Sequence, residues 1–233
     1  MSIILSLDTS AHGCSVAVHQ NGEILSISDI FKEQSHGSRL ALMINQVLDN
    51  AGVKISQLSA VAVASGPGSY TGLRIGTSTA KGLCYSLNVP LIAVDSLSAM
   101  TAQAIRFTKG QSVLYCPMLD ARRMEVYCAI LDQSLRFIQP IQAKVLDTVS
   151  FNEVLEAHKV VFFGDGSDKS REVINHSNAH FLESIFTSAS GVGELAWMRF
   201  QQKKFEDLVH FEPYYLKEFL IKKSSKLDSI LNK

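Results

Sequence analysis

The densest signal for chemistry in the sequence is Ser65-Gly-Pro-Gly-Ser-Tyr-Thr-Gly-Leu-Arg-Ile-Gly76. Gly66 and Gly68 permit backbone angles that other residues resist, so the chain can turn tightly there. Free amides at the start of a helix after this turn could hold an anion. No Gly-Lys-Ser/Thr follows at the required spacing, so the stretch is not a Walker loop. Gly72 and Gly76 fall on one face of that helix, and each costs about 1 kcal/mol relative to alanine. A close neighbour must offset that cost, either the chain's own sheet or a helix of a partner. Asp8 follows the apolar run Ile3 to Leu7, and Asp120 follows Val113 to Leu119. Carboxylates at two strand ends could hold a metal–nucleotide complex, or simply bond the backbone of their own turns. The first turn reads Thr9-Ser10-Ala11-His12 before its only glycine, Gly13, and the second reads Ala121-Arg122-Arg123 with none. Both look impaired as phosphate cradles, which need close backbone approach.

Other candidates are weaker. His176-Ser-Asn-Ala-His180 has the spacing of a helical metal pair. It lacks the glutamate of His-Glu-x-x-His and reads better as a solvated loop. Strand, Gly66-x-Gly68-x-x-x-Gly72, helix, strand and Asp95 together resemble a dinucleotide-binding unit, the signature of an oxidoreductase. Against that, the glycine motif is one residue too long and follows a hairpin. Cys14, Cys84, Cys116 and Cys128 are widely spaced with no C-x-x-C. Neither a zinc site nor a disulfide framework is expected, only buried thiols in a reducing compartment.

These residues need elements to position them. The chain opens strand, polar turn, strand (Cys14 to Val18), Asn21-Gly22 turn, strand. Ser35 to Asn50 has helical periodicity, with Leu40, Ile44, Val47 and Leu48 on one face. Gly52 is a helix stop. Strands are expected over Ala60 to Ala64 and Leu91 to Val94, with a helix from Thr71 to Leu87 between them. Ser96 is expected to cap the next helix. A second unit follows, with strands over Val113 to Leu119, Met124 to Leu131 and Leu135 to Ile138. It continues with a helix from Phe151 to His158, a strand from Val160 to Phe163 and a helix from Ser190 to Lys204. From Lys217 onward the composition is polar and basic, either a surface helix or a disordered tail.

Length and composition bound the function. The 233 residues are 46% hydrophobic, which excludes disorder as the main state. Lys plus Arg and Asp plus Glu are 22 each, so net charge points to no polyanionic partner. No apolar run reaches transmembrane length and no cleavage signal opens the chain, so a cytoplasmic protein is expected. The two units also repeat each other. Leu7-Asp8 matches Leu119-Asp120, and Val61-Ala-Val-Ala-Ser-Gly66-Pro-Gly68-Ser matches Val160-Val-Phe-Phe-Gly164-Asp-Gly166-Ser. Such a long repeat implies domain duplication, with lobes over residues 1–108 and 109–233 facing each other across a cleft. The pattern resembles the α/β actin, sugar-kinase and Hsp70 class, with two duplicated ribonuclease-H-like lobes. Asp8, Thr9, Ser10, Gly66, Gly68, Asp120, Arg122 and Gly164 would line a vestigial nucleotide cleft.

Leu7-Asp-Thr-Ser10, the Ser65 to Gly76 string, Asp120-Ala-Arg122, Glu125-Val-Tyr127 and Pro213-Tyr-Tyr-Leu resemble the TsaB (YeaZ) family, over most of the chain. That resemblance implies an accessory subunit in making threonylcarbamoyladenosine beside the tRNA anticodon in bacteria. It would pair with the catalytic TsaD, and the ATPase TsaE would join. Its relatives, once called glycoproteases, carry a metal-binding His-x-x-x-His on the first long helix. Here the segment reads His36-Gly-Ser-Arg-Leu40, so the second ligand is absent and metallopeptidase activity is not expected. No cofactor and no metal are expected, and the chain alone should be catalytically silent. Direct tRNA binding should be weak and salt-sensitive, through Lys217, Lys222, Lys223 and Lys226 of the tail. Leu40-Ala-Leu-Met-Ile44 covers more than one stripe of its helix. Leu40, Met43, Ile44 and Val47, with Gly72, Ile75, Gly76, Thr79 and Ala80, are therefore expected to face TsaD or, when the chain is alone, a second copy.

Overall fold

The computed structural model describes residues 1–11, 13–31 and 36–217. The first sheet is built from β1 (Ile3–Asp8), β2 (Cys14–Gln20), β3 (Glu23–Ile30), β4 (Ala60–Ala64) and β5 (Leu91–Val94), in the order β3-β2-β1-β4-β5. The second is built from β6 (Leu114–Asp120), β7 (Glu125–Leu131), β8 (Phe137–Val145), β9 (Val160–Phe163) and β10 (Ala179–Phe181), in the order β10-β9-β6-β7-β8. Read from its own first strand, each sheet has one topology. Three strands form an antiparallel meander, and two more add in parallel beside the first. The duplication legible in the sequence is therefore a duplication of topology, and the fold is that of two ribonuclease-H-like lobes.

Six helices cover the sheets among the described residues: α1 (His36–Asn50), α2 (Tyr70–Leu87), α3 (Ser96–Ile105), α4 (Asn152–Ala157), α5 (Ser167–Arg171) and α6 (Ala189–Gln201). Strand alternation decides which residues meet them. In the first lobe Leu5, Leu7, Val61 and Val63 point to one face, where Leu40, Met43, Ile44, Val47 and Leu48 of α1 and Ala80 and Cys84 of α2 bury them. Ile4, Ala60, Ala62 and Ala64 point to the other face, against Ala99 and Ala102 of α3 and Val192, Leu195 and Ala196 of α6. In the second lobe Cys116, Met118, Cys128 and Phe162 pack on Val154 and Leu155 of α4. The opposite face, with Tyr115, Leu119, Leu131 and Phe163, packs on Leu97, Met100 and Ala104 of α3.

Two helices thus cross between the sheets. α3 comes from the first half of the chain and touches both sheets, with every residue but Gln103 and Ile105 buried. α6 comes from the second half and lies on the first sheet. The two approach so closely that a Cβ on Gly191 would collide with the Ala99 carbonyl oxygen. A Cβ on Gly193 would likewise collide with the His19 ring.

Several local expectations change. Ser96 is the first residue of α3, and Asp95 caps the helix, its carboxylate accepting from the Ser98 amide at 2.7 Å. Asp95 therefore serves the backbone and not a ribose. The third strand of the second lobe runs from Phe137 to Val145 and passes through Pro140. It is an edge strand, where a residue without an amide is tolerated. His180 lies in β10 and not in a helix, and the His176 Nδ1 accepts from the Asn178 amide at 3.1 Å. The four cysteines are free and buried. No described helix is long and apolar enough to cross a membrane. Lys222, Lys223 and Lys226, with the rest of the tail from residue 218, lie outside the described residues.

Candidate functional site

The two Asp-ended strands bring their turns to equivalent places in the two lobes, but the turns are built differently. In the first lobe Asp8, Thr9 and Ser10 are all buried. One Asp8 oxygen accepts from the Ser10 amide at 2.9 Å and from the Ser10 hydroxyl at 2.6 Å. The other has no hydrogen-bond partner among the described residues. Burial pushes the Asp8 carboxyl up to about 6, against the lowering pull of both Ser10 bonds and with a small upward push from Asp29. The glycine turn closes over this hairpin. The Ser69 amide donates to the Ser10 carbonyl at 2.6 Å, and the Thr9 hydroxyl donates to the Gly72 carbonyl at 2.7 Å. Ala11 packs onto the core of the second lobe. The turn is sealed against its neighbours.

The glycines expected to face a partner explain that seal. A Cβ on Gly72 would collide with the Thr9 carbonyl oxygen, one on Gly76 with the Thr9 hydroxyl, and one on Gly68 with the Ser10 carbonyl. Their missing side chains let α2 press against the chain's own first turn. Ala80 is likewise buried, and Ile75 and Thr79 are half-buried, with Ile75 packed against the same core. Leu40, Met43, Ile44 and Val47 lie inside the core beneath α1. Leu40, Met43, Ile44, Val47, Gly72, Gly76 and Ala80, expected to face a partner, are thus turned inward within this chain, while Ile75 and Thr79 keep part of their surface open. The large hydrophobic side chains left outward on the described parts of these helices are Leu42 on α1, 68% exposed, and Tyr85 on α2, 84% exposed, with Gly82 facing open space. Five consecutive apolar residues in α1 were the signal for Leu42.

The second hairpin stands open. Asp120, Arg122 and Arg123 are exposed. The Asp120 carboxylate pairs with Lys169 of α5 and accepts from the Arg122 amide at 2.9 Å. Lys169 also donates to the carbonyls of Arg123 at 2.7 Å and Glu125 at 2.6 Å. Gly164 lies beneath this turn, where a Cβ would collide with the Met118 carbonyl oxygen. Of the cleft residues expected from sequence, only Asp120 and Arg122 are exposed.

One element was singled out by resemblance alone. The segment after α6 straps the first lobe. The Glu206 amide donates to Leu91 at the sheet edge at 2.9 Å, and Lys81 donates to the carbonyls of Val209 and Phe211, each at 3.1 Å. The Tyr214 amide donates to the Ser65 carbonyl at 2.7 Å, and the Tyr70 and Tyr215 rings meet at 4.7 Å. Lys217 then pairs with Glu125 of the second lobe. Pro213-Tyr-Tyr-Leu thus locks the glycine turn in place.

The family model for TsaD, tRNA N6-adenosine threonylcarbamoyltransferase, matches residues 30–228. The chain is 30% identical over 201 residues to the tRNA threonylcarbamoyladenosine biosynthesis protein TsaB of Haemophilus influenzae, covering 86% of this chain and 76% of that one. The chain belongs to the TsaB group of the TsaD family. The TsaB of Bacillus subtilis is 28% identical over 92% of this chain and 93% of its own. The solved structure of YeaZ from Pseudomonas aeruginosa superposes with a TM-score of 0.80 at 27% identity, over 93% of this chain and all of that one. Far more distant solved chains share the fold, which shows architecture and nothing of chemistry. Leu40, which stands where a His-x-x-x-His beginning at His36 would place its second histidine, is a buried core residue.

Proposed function

We propose that this chain is the accessory subunit of a tRNA threonylcarbamoyl-transferring assembly, pairing with a TsaD-type catalytic subunit while a TsaE-type ATPase and tRNA join the complex. Membership of the TsaB group supports the pathway. The observation that carries the accessory role is the sealed first turn. A metal–nucleotide complex needs an accessible carboxylate and free amides at this place, and Asp8 is buried under a glycine turn that consumes the Ser10 carbonyl.

The partner face we assign is the outer side of α1 and α2, centred on Leu42 and Tyr85. Large exposed aromatic and aliphatic side chains on two adjacent helices fit the anchors of a helix–helix interface. A second copy of the chain would use the same face when the TsaD-type subunit is absent. Reconstitution tests the role. Threonylcarbamoyl-adenylate and tRNA are supplied with this chain alone, with the TsaD-type subunit alone, and with the full set including the TsaE-type ATPase. Modified tRNA should require the TsaD-type subunit and rise when this chain is added. Modified tRNA formed by this chain alone would overturn the accessory reading.

A further inference from the structure

Arg122 and Arg123 stand one after the other in the left-handed region, with φ of 68° and 50°. A side chain is disfavoured there, and asparagine or glycine is the usual occupant. The chain itself shows the alternative. The β2–β3 hairpin turns through Asn21-Gly22 at φ of 50° and 90°. Two consecutive arginines at the β6–β7 hairpin are therefore not what the turn alone asks for.

The hairpin is also braced from below. The Ala121 amide donates to Glu125 at 3.0 Å, the Glu125 amide to Arg122 at 3.3 Å, and the Asp120 amide to the Asp165 carboxylate at 2.9 Å. With the Arg122 amide held by Asp120 and two carbonyls held by Lys169, most of the turn's backbone is committed. The neighbouring carboxylates are engaged too, Asp120 by Lys169 and Glu125 by Lys217. Among the described residues neither guanidinium makes a hydrogen bond or ion pair, and both side chains are exposed. The hairpin thus offers positive charge through two rigidly based guanidinium groups, with the Asp120, Ala121, Arg122 and Glu125 amides already engaged. Lys217 is also where the chain leaves the described structure, and residues 218–233 carry Lys222, Lys223, Lys226 and Lys233 against Glu218 and Asp228.

We propose that the Arg122–Arg123 hairpin is a contact site for the phosphodiester backbone of RNA. The choice of RNA rests on the accessory reading above. Guanidinium groups meet phosphate oxygens in a bidentate fork. A bound mononucleotide would need close backbone approach, which two arginine side chains at the tip hinder where glycines would permit it, whereas an extended backbone can meet two outward arginines in sequence.

The test compares the full-length wild type with Arg122→Asn/Arg123→Gly, which gives the turn the residues used at Asn21-Gly22. Binding of an unmodified tRNA transcript is followed by fluorescence anisotropy from about 25 to 200 mM salt, for the chain alone and with the TsaD-type subunit. ATP and ADP binding form a separate arm. The variant should melt no lower than the wild type, lose at least about tenfold in tRNA affinity at low salt, and show a salt slope shallower by about 1 to 2, since each lost phosphate contact removes roughly 0.7 to 0.9. Arg122→Lys/Arg123→Lys should keep most of the slope. Equal affinity and slope in the Asn/Gly variant, or no tRNA binding by the wild type at low salt, would overturn the proposal. Loss of nucleotide binding with tRNA binding intact would assign the arginines to a nucleotide instead. Failure to assemble with the TsaD-type subunit would overturn the accessory reading, while the isolated-chain comparison would still decide the arginine site.

Discussion

The two lobes share one strand order, yet their first hairpins have opposite characters. The Asp8 turn is buried, short of one hydrogen-bond partner and sealed by three glycines of the Gly66 loop and α2. The Asp120 turn is exposed, neutralised by Lys169 and tipped with two arginines. Duplication sets where a turn sits; what packs on it sets what it can do. In the first lobe a long α2 presses onto its hairpin. In the second, the equivalent α5 has only five residues, and its Lys169 reaches the turn by a single side chain.

The largest effect should come from breaking the seal. Gly72→Ala puts a Cβ into the Thr9 carbonyl oxygen, and overpacking of this kind costs about 1–3 kcal/mol or more. Thermal melting should fall by many degrees. Gly82→Ala, where nothing lies within 4 Å, should instead gain up to about 1 kcal/mol of helix propensity. Equal effects at the two glycines would mean that α2 does not press on the first turn.

A second test uses pH. Asp8 rises from its ordinary 3.8 to about 6, so the folded state keeps a proton the unfolded chain has lost. Its contribution is lost as pH rises from 3.8 to 6, by roughly 3 kcal/mol at about 1.4 kcal/mol per pH unit. Burial beside α6 holds the His19 imidazole down from 6.5 to about 4, against a raising bond to Ser190, with a further lowering from Arg106. There the unfolded chain takes up the proton first, so stability falls as pH drops from 6.5 to 4, by a similar amount. The two slopes oppose each other and nearly cancel. Asp8→Asn removes the first, so its stability should climb by roughly 3 kcal/mol between pH 4 and 7 relative to the wild type's profile. Parallel profiles from urea melts would place Asp8 in contact with solvent.

The open hairpin should respond less. Arg122→Asn/Arg123→Gly relieves two left-handed side chains and should stabilise by about 1–2 kcal/mol in total. A loss of stability would show that the arginines are packed and not merely presented.

Much of this organisation was legible in the residues. Strand followed by Asp and polar turn, twice, gave the duplicated lobes, because short apolar runs ending in turn residues leave few alternatives. Gly72 and Gly76 showed that something comes close to α2 but not what; the neighbour is Thr9, distant in sequence, and the interface expectation for those glycines pointed outward where the contact is inward. The exchange of α3 and α6 could not be read. α3, small or apolar at nearly every position, carries no periodicity to choose one sheet over another. Pro140 hid half of β8 because its tolerance depends on the strand lying at the edge.

On the function proposed above, the outer face of α1 and α2 joins this chain to a TsaD-type subunit while the inner face holds the monomer together. Size-exclusion chromatography of wild type and Leu42→Glu/Tyr85→Glu, each mixed with that subunit, tests it most directly. The wild type should co-elute. The double variant should elute separately with an unchanged melting temperature, since buried anchors of this kind are each worth about 2 kcal/mol or more to an interface. Co-elution of the double variant with the same affinity as wild type would contradict the claim.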